Sequence, residues 1–314
     1  MPATAFSGAT RHAMLDKPRE LADAIDAYRR ERMRASDAPR HDANTGKDDR
    51  MGRLDGKVAL VMGASRKDNM GQAIARRFIA EGAKVAVGGR TLEGLRAFAD
   101  ETGATAIQCD IARKADVFAM VDAVVARHGR IDIGVNAAAT GALSVFEDTE
   151  EAELDEMLGI IFKGGYFFMQ ALVKRMKPAG GGAIVNISSA VADIMFENHA
   201  SYMGAKAGLN HVTRSVAYDY GKFGIRANIV SPGFTVTPMV GEMLAPGTVE
   251  AFAKEYPLGR ITTIEDVANV TLFAASDECF MTGETFHVTG GLRLRRNPTH
   301  AEIGASVQAA MGAG

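Results

Sequence analysis

A ten-residue stretch that begins at Gly180, GGGAIVNISS, sets how the rest of the chain is interpreted. Its apolar centre, residues 183–187, is short and rich in β-branched side chains, which is typical of a buried strand. From Tyr202 the apolar residues follow helical spacing, with Leu209 and Val216 on one face. A buried strand that leads into an amphipathic helix is one unit of a layered α/β fold.

The same alternation of strand and helix patterns continues on both sides of this stretch. Apolar runs predict strands at 57–62, 83–87, 105–109, 131–135, 183–187, 225–230 and 285–288. Helical spacing predicts helices at 71–80, 92–100, 115–127, 150–176, from 202 onward, 247–256 and 264–275. Such a pattern indicates a parallel sheet covered on both faces, and the right-handed crossover rule makes it doubly wound. We expect one Rossmann-like α/β domain over residues 51–292.

Both ends of the chain extend beyond this domain. Residues 1–50 are expected to form an extension and linker, in which an apolar i, i+4, i+7 pattern after Pro18 predicts a short helix. That helix either docks on a neighbouring subunit or belongs to a loosely attached arm. The tail, residues 293–314, is basic and then alanine-rich, and it either covers a neighbouring subunit or is disordered.

The composition excludes several classes of function. The 314 residues are 24% charged and 47% hydrophobic, with a net charge of −2, which gives no electrostatic case for nucleic acid. Cys109 and Cys279 lack metal-ligand spacing, so we expect no metal site and a reducing, cytoplasmic location. The sequence contains no apolar run of membrane-spanning length and no secretory signal, so we expect no membrane partner.

Tyr202 and Lys206 are four residues apart, which places them on the same face of the predicted helix. A free phenol has a pKa of about 10, and a nearby ammonium group favours the phenolate. Ser189, at the end of the preceding strand, can hydrogen-bond a substrate oxygen. The three residues together predict an acid/base device for a carbonyl and its alcohol, although a Tyr-x-x-x-Lys pair alone also occurs by chance.

A glycine-containing loop joins the first strand to the first helix. Free N–H groups and the positive end of a helix dipole at such a turn suit a pyrophosphate. We therefore expect cofactor contacts from Gly63, Ser65, Arg66, Asn69, Met70 and Gly71.

The second strand ends in Gly88-Gly89-Arg90, where dinucleotide folds that bind NAD(H) carry an acidic residue for the ribose. No acidic residue stands here. Arg66 and Arg90 can instead clamp a 2′-phosphate, which favours NADP(H), with NAD(H) as the alternative.

Six motifs in register resemble those of the short-chain dehydrogenase/reductase family over residues 54–292. They are the 63–71 loop, Cys109-Asp110-Ile111, Asn136-Ala137-Ala138, Ser189 with Tyr202-x-x-x-Lys206, the run from Ser231 to Pro238, and Thr282-Gly283-Glu284 with Gly290-Gly291. The resemblance implies that Tyr202 is the general acid in reduction and the base in oxidation. It further implies that Ser189 polarises the carbonyl, while Lys206 binds the nicotinamide ribose and lowers the tyrosine pKa.

The same resemblance implies further cofactor contacts. Asp110, with Ile111 beside it, is expected to bind the adenine, and Asn136 to hold the end of its strand beside the cofactor. The nicotinamide amide is expected to be oriented by Pro232, Gly233, Thr235 and Thr237. A homo-oligomer, tetramer or dimer, is also implied, formed through the long helices and the last strand.

Two departures from the family pattern leave alternatives open. The glycine-rich loop is two residues longer than usual, with Asn69 at the middle glycine, where its tolerance of positive φ can preserve the turn. This length resembles enoyl-thioester reductases, although those typically separate Tyr and Lys by six residues rather than three. Ile161 stands where the family has a catalytic Asn, which leaves open a cofactor-binding protein with little catalysis. If the enzyme is active, another polar group is expected to reach Lys206.

The substrate end is less defined. Ile194, Met195 and Phe196 can line an apolar pocket, and a lid is expected over residues 239–258. In that lid an apolar substrate, or plain packing, explains Met239, Met243, Leu244 and Phe252. His199 either faces the substrate or is structural.

Overall fold

A parallel sheet of seven strands forms the centre of the computed structural model, which describes residues 52–237 and 244–312. The strands are β1 (Val58–Met62), β2 (Lys84–Gly89), β3 (Thr105–Gln108), β4 (Ile133–Asn136), β5 (Gly182–Ile187), β6 (Ile225–Pro232) and β7 (Thr285–Val288). Their order is β3-β2-β1-β4-β5-β6-β7, and every neighbouring pair is parallel. The predicted doubly wound α/β fold is confirmed.

Helices cover both faces of the sheet. They are α1 (Met70–Ala80), α2 (Leu92–Thr102), α3 (Lys114–His128), α4 (Glu151–Met157), α5 (Gly164–Met176), α6 (Ala200–Tyr220), α7 (Thr248–Ala253), α8 (Ile264–Ala275) and α9 (His300–Gly312). Among the residues described, no helix is both long and apolar enough to cross a membrane.

Successive side chains of each strand point to opposite faces of the sheet and pack into two separate hydrophobic cores. On one face, Leu60 of β1 joins a cluster with apolar residues of α3, α5 and α6, among them Phe168 and Leu209. On the other face, Val61 joins a cluster with α1, α2 and α8, among them Phe78 and Leu272. Because successive residues of a strand point to opposite faces, a strand buried on both sides must be apolar throughout, as β1 is.

The order of the strands creates a cleft at their carboxyl ends. From β1 the chain continues to β2, toward one edge of the sheet, and from β4 it continues to β5, toward the opposite edge. Met62 and Asn136, at the ends of β1 and β4, are register partners. Ligands of doubly wound sheets bind beyond such a switch point, so the geometry directs attention to this edge.

The long helix predicted at 150–176 is interrupted. A π-helical segment, Leu158–Lys163, separates α4 from α5, and the Gly164 N–H donates to the carbonyl of Gly159, five residues earlier. Gly165 allows a close approach to α6, because a Cβ there would lie 2.6 Å from the Leu209 Cδ1 atom. The wider turn lies directly before this close packing, and such turns often occur at functional sites.

The chain's last described residues fold back on the domain. Helix α9 packs on α7, and the Ser306 hydroxyl donates to the Gly247 carbonyl at 2.8 Å. Gly247 has φ +90°, and a Cβ there would lie 2.5 Å from the Ser306 carbonyl oxygen. Within residues 293–312, the expectation of a disordered tail is therefore wrong. The predicted helix after Pro18 and the rest of the 1–50 extension lie outside the described residues.

A buried polar chain fastens α6 to the middle of the sheet. The Asn186 side chain, within β5, accepts from Asn136 Nδ2 at 3.2 Å and donates to Thr213 Oγ1 at 2.9 Å. Thr213 in turn donates to the Leu209 carbonyl at 2.8 Å. Asn186 was not predicted as a site residue, yet an Asn inside an otherwise apolar buried strand is a usable signal, because it must find partners.

We predict that Asn186→Val lowers the free energy of unfolding by about 2–4 kcal/mol, because it leaves the buried Asn136 amide and the Thr213 hydroxyl without their partner. Denaturant unfolding measures the change. Asn269→Ala, on the exposed side of α8, is the control and should shift stability by less than about 0.5 kcal/mol. A loss of less than about 1 kcal/mol for Asn186→Val would contradict the importance of this chain.

Candidate functional site

The loop between β1 and α1 is shaped by two glycines. Gly63 has φ +97°, and a Cβ there would lie 2.6 Å from the Ala137 carbonyl carbon that follows β4. A Cβ on Gly71 would lie 2.5 Å from the Gly63 carbonyl oxygen. Both positions therefore require glycine, and the loop lies tightly against the first turn of α1. The Gly63 and Ala64 N–H groups both donate to the Gly88 carbonyl, and a phosphate at the helix end of this turn stays a prediction.

Side-chain hydrogen bonds close the lengthened loop. Asn69 Nδ2 donates to the Gly63 carbonyl at 2.8 Å, and Asn69 Oδ1 accepts from the Gln72 N–H at 2.9 Å, which caps α1 just before Met70. The predicted positive φ at Asn69 is wrong, since its φ is −85° and the left-handed residue is Asp68, with φ +54°. The extra residues move the turn by one position and leave Asn69 free to cap the helix.

Gln72 supports the loop from inside the helix and was not predicted. Its side chain is buried, donates to the Ala64 carbonyl at 3.0 Å and accepts from the Asp68 N–H at 3.1 Å. A buried polar residue on the face that carries Ile74 and Ala75 is the sequence signal that points to it.

The expected ribose position lies where the loop meets the end of β2. The Ser65 hydroxyl accepts from the Thr91 N–H at 3.3 Å, and a Cβ on Gly89 would overlap this hydroxyl. Arg66 and Arg90 are both exposed, and the Arg90 carbonyl accepts from Gln108 Nε2 at 2.9 Å. The end of β2 thus presents small residues and arginine, without a carboxylate.

The residues expected at the adenine occupy the end of β3. Asp110 Oδ1 accepts from the Ala112 N–H at 3.0 Å, which holds the carboxylate within its own turn. Ile111 is buried, and a Cβ on Gly164 would lie 3.0 Å from its Cγ1 atom. Asn136, at the end of β4, is buried, and its Oδ1 accepts from the Ala138 N–H at 3.2 Å.

The segment after β6 is held by its own backbone and by Tyr256. Pro232 ends β6, and Thr235 Oγ1 donates to the Gly233 carbonyl at 3.0 Å. The buried Tyr256 hydroxyl donates to the Phe234 carbonyl at 3.4 Å. Thr237 is half-buried, and the next residues, 238–243, lie outside the described residues. Thr235 thus fixes this loop through a bond within the loop itself.

The three predicted catalytic residues meet between β5 and α6. Ser189 follows β5, and its hydroxyl accepts from the Val191 N–H at 3.4 Å. Lys206 is only 2% exposed, and its Nζ lies 5.7 Å from the centre of the Tyr202 ring. The Lys206 Nζ donates to the Ile187 carbonyl at 2.7 Å. The end of β5 and the second turn of α6 therefore supply a hydroxyl, a phenol and an ammonium group side by side.

Burial dominates the acid–base properties of this group. It raises the pKa of the Tyr202 phenol to about 12, a change that the Ser189 side chain opposes, and it lowers the pKa of Lys206 to about 8. The predicted lowering of the tyrosine pKa is therefore wrong for the protein alone. The sequence argument counted the charge of Lys206 but not the cost of removing both groups from water. Tyr202 is a proton donor at neutral pH.

Ile161 is fully buried in the core beside α6. The described hydrogen-bond partner of Lys206 is the Ile187 carbonyl of β5. A polar group or water chain that links Lys206 to solvent in place of the missing Asn stays a prediction.

The apolar lid residues lie in two different settings. Phe252 is buried and stacks on Phe234, with ring centres 4.0 Å apart, and Phe196 packs on its other side. This residue therefore serves packing. Leu244 is half-buried, while Met239 and Met243 lie outside the described residues.

Two buried serine hydroxyls at this edge of the sheet bear on whether the cleft can bind a dinucleotide. The Ser188 and Ser231 side chains, at the carboxyl ends of β5 and β6, have no hydrogen-bond partner within the described residues. Buried polar groups are almost always paired, so these two point to a ligand with polar atoms at this edge. With the phosphate turn at Gly63 on the other side of the switch point, the residues fit a dinucleotide laid across the strand ends.

Comparison with known proteins matches most of this chain. A family model described as Enoyl-(Acyl carrier protein) reductase matches residues 63–293. D-threitol dehydrogenase of Mycolicibacterium smegmatis is 36% identical over 249 residues, which cover 77% of this chain and 95% of that protein. The 3-oxoacyl-(acyl-carrier-protein) reductase of Staphylococcus aureus is 35% identical over 245 residues, 76% of this chain and 98% of that protein.

A solved structure gives the same architecture. The gluconate 5-dehydrogenase from Burkholderia cenocepacia, in complex with NADP and tartrate, superposes with a TM-score of 0.73 at 29% identity. The match covers 77% of this chain and 97% of that protein.

We predict that Lys206→Met stabilises the protein at pH 7 by about 1–3 kcal/mol. The pKa of Lys206 is about 8 in the folded state, against 10.5 for an ordinary lysine, so burying the charge destabilises the wild type by about 3 kcal/mol. Loss of the hydrogen bond to Ile187 destabilises the variant by about 1 kcal/mol and offsets part of this gain.

The pH dependence of this difference follows from the same shift. Below pH 8 the folded and unfolded chains are both protonated at Lys206, so the full cost applies. Between pH 8 and 10.5 only the unfolded chain holds the proton, so the wild type gains stability as pH rises. The difference disappears at about pH 9.5, and above that the variant is the less stable protein by up to about 1 kcal/mol, the value of the lost hydrogen bond. Denaturant unfolding at pH 7 and pH 10 measures this, and a variant less stable than wild type at pH 7 would refute it.

Proposed function

The chain belongs to the short-chain dehydrogenase/reductase family, and from this premise we propose that it interconverts a ketone and a secondary alcohol with NADP(H). Membership makes it an NAD(P)-dependent oxidoreductase that acts on small molecules. The observation that carries the proposal is the position of Ser189, Tyr202 and Lys206, which lie together where β5 ends and α6 begins. This arrangement suits proton transfer to an oxygen held next to the cofactor.

In the proposed reaction, each residue has one task. When bound, the nicotinamide supplies or accepts the hydride. The Ser189 hydroxyl holds and polarises the carbonyl oxygen, and Tyr202 Oη donates its proton to that oxygen in reduction or removes it in oxidation. The Lys206 ammonium stabilises the phenolate left on Tyr202, and its burial strengthens that attraction, because little water screens it. The raised pKa keeps Tyr202 protonated and ready to donate.

We predict that Tyr202→Phe lowers kcat for ketone reduction at least about 100-fold, because the phenylalanine ring keeps the shape but has no proton to transfer. NADPH oxidation with a panel of ketones measures it. NADPH binding, followed by fluorescence, should be unchanged.

This experiment also separates the alternatives. Wild-type protein that binds NADPH but reduces no ketone would favour the cofactor-binding protein with little catalysis. The description of the matching family model and the long loop favour an enoyl-thioester reductase as the second candidate. Reduction of an enoyl thioester at a rate above that of any ketone would support it. The Tyr202-to-Lys206 spacing favours the ketone, as do the names of the threitol and 3-oxoacyl relatives.

The preference for NADP(H) rests on the end of β2. Arg66 and Arg90 are exposed on the two segments that meet there, Ser65 fills the space beside Gly89, and no carboxylate opposes a phosphate. The gluconate 5-dehydrogenase of the same architecture was solved with NADP.

We predict that Arg66→Ala and Arg90→Ala each raise KM for NADPH about tenfold or more and change KM for NADH less than about threefold, because only NADPH carries the 2′-phosphate. Steady-state kinetics with both cofactors measures this. Arg127→Ala, an exposed arginine at the far end of α3, is the control for lost positive charge. Equal effects on the two cofactors would rule out the phosphate clamp.

We also propose a homo-oligomer, a dimer or tetramer. Leu154, Leu158 and Tyr166, along the long helical segment, are 43%, 36% and 46% exposed, which supports burial of this face against a second copy.

A further inference from the structure

His199 is held against the proposed catalytic tyrosine. It stands at the N-cap of α6, one turn before Tyr202, and the two rings stack with centres 4.5 Å apart and planes 29° apart. Phe196 contacts His199 edge-on, with ring centres 5.9 Å apart. Two aromatic neighbours therefore fix the imidazole beside the phenol.

One nitrogen of this imidazole is assigned by its partner. His199 Nδ1 lies 2.6 Å from the Ala142 carbonyl oxygen. A carbonyl oxygen only accepts, so Nδ1 carries the proton and Nε2 of the neutral ring holds a lone pair. Within the described residues, the hydrogen bonds of His199 involve Nδ1 and the backbone, and Nε2 has no partner.

The surroundings keep the ring neutral. Burial lowers the pKa of His199, against the opposing effects of the Ala142 carbonyl and the Glu153 carboxylate. That carboxylate is already occupied, because it accepts from the Ser144 and Ser201 hydroxyls. At neutral pH the half-buried ring thus presents a hydrogen-bond acceptor next to the phenol.

We propose that His199 Nε2 binds a substrate hydroxyl on the carbon adjacent to the reacting carbonyl, so that the enzyme acts on α-hydroxy ketones and the vicinal diols formed from them. This inference rests on the proposed function, in which Tyr202 transfers a proton to the carbonyl oxygen. The imidazole lies against the face of the Tyr202 ring, with centres 4.5 Å apart, so we place its acceptor next to the carbonyl oxygen that Tyr202 protonates, at the neighbouring carbon of a substrate. A plain ketone offers no donor to a lone pair, whereas a hydroxyl does.

His199 also has a purely structural contact, which the test must separate. Its bond to Ala142, together with the Ser144 N–H donating to the Asn198 carbonyl at 2.8 Å, ties the loop after β4 to the start of α6. Two substitutions divide the two nitrogens. His199→Asn places an amide near the Nδ1 position and leaves nothing at Nε2, while His199→Gln reaches the Nε2 position and leaves Nδ1 empty.

The test uses two substrates of the same size, 1-hydroxy-2-propanone and 2-butanone, which differ by a hydroxyl in place of a methyl group. We expect wild-type protein to prefer the hydroxy ketone at least about tenfold in kcat/KM, the discrimination given by about 1.4 kcal/mol from one hydrogen bond. His199→Asn should lose that preference through a higher KM for the hydroxy ketone alone. His199→Gln should keep the preference within about threefold.

Several outcomes would overturn the inference while the proposed function stands. They are a wild type without preference for the hydroxy ketone, a wild type that reduces other ketones but not 1-hydroxy-2-propanone, and His199→Asn with unchanged preference. A variant pair that loses activity equally on both substrates also overturns it, because only the loop contact then matters. A wild type that reduces no ketone at all contradicts the proposed function itself.

Discussion

The burial of one ammonium group is the constraint on which the site depends. Lys206 lies almost entirely out of water, and its described hydrogen bond is to the Ile187 carbonyl. A charge in such a place is costly unless it is hydrogen-bonded, so the Ile187 carbonyl must be held in position. The end of β5 is held in register by β4 and β6, and the chain from Asn136 through Asn186 to Thr213 holds α6 against it. The sheet thus stabilises the chemistry through ordinary ladder bonds and one buried amide.

The site also requires backbone segments to approach each other closely, and glycine residues allow this at the turn after β1. A side chain at Gly63 would push the loop away from the end of β4, and one at Gly71 would push it from the first turn of α1. Because Gly63 and Gly71 carry no side chains, the loop after β1 can lie close to the end of β4 and to α1. Asn69 and Gln72 fasten this loop from both ends. These contacts hold in place the loop that is proposed to bind the phosphate.

The sequence predicted those features of the fold that depend on the local pattern of apolar residues. Apolar runs predicted the strands, since strands covered on both faces must be apolar, and helical spacing predicted the helices. The apolar run of β2 stops at Val87, and pairing with β1 and β3 continues the strand through Gly88 and Gly89, although glycine has little preference for strands.

Properties set by the tertiary structure were not predictable. The π-helical segment carries no mark in the periodicity of the long helix, and the pKa of Tyr202 depends on burial that no i, i+4 spacing reveals. Helix α9 is alanine-rich, which the sequence shows, but its contact with α7 is not local.

The way in which the C-terminal segment contacts the domain bears on how the substrate preference of such an enzyme can evolve. Asn297 Nδ2 donates to the Met195 carbonyl at 3.0 Å, and the His300 N–H donates to the Glu197 carboxylate at 2.8 Å, so the C-terminal segment holds the loop that leads to His199. Mutations there can reshape the loop that leads to His199 while the turn at Gly63 and the strand ends stay unaltered. In the proposed enzyme, selection for a new substrate therefore has a route through residues 297–300, which lie outside the motifs of the family, and this route leaves the proposed cofactor contacts in place.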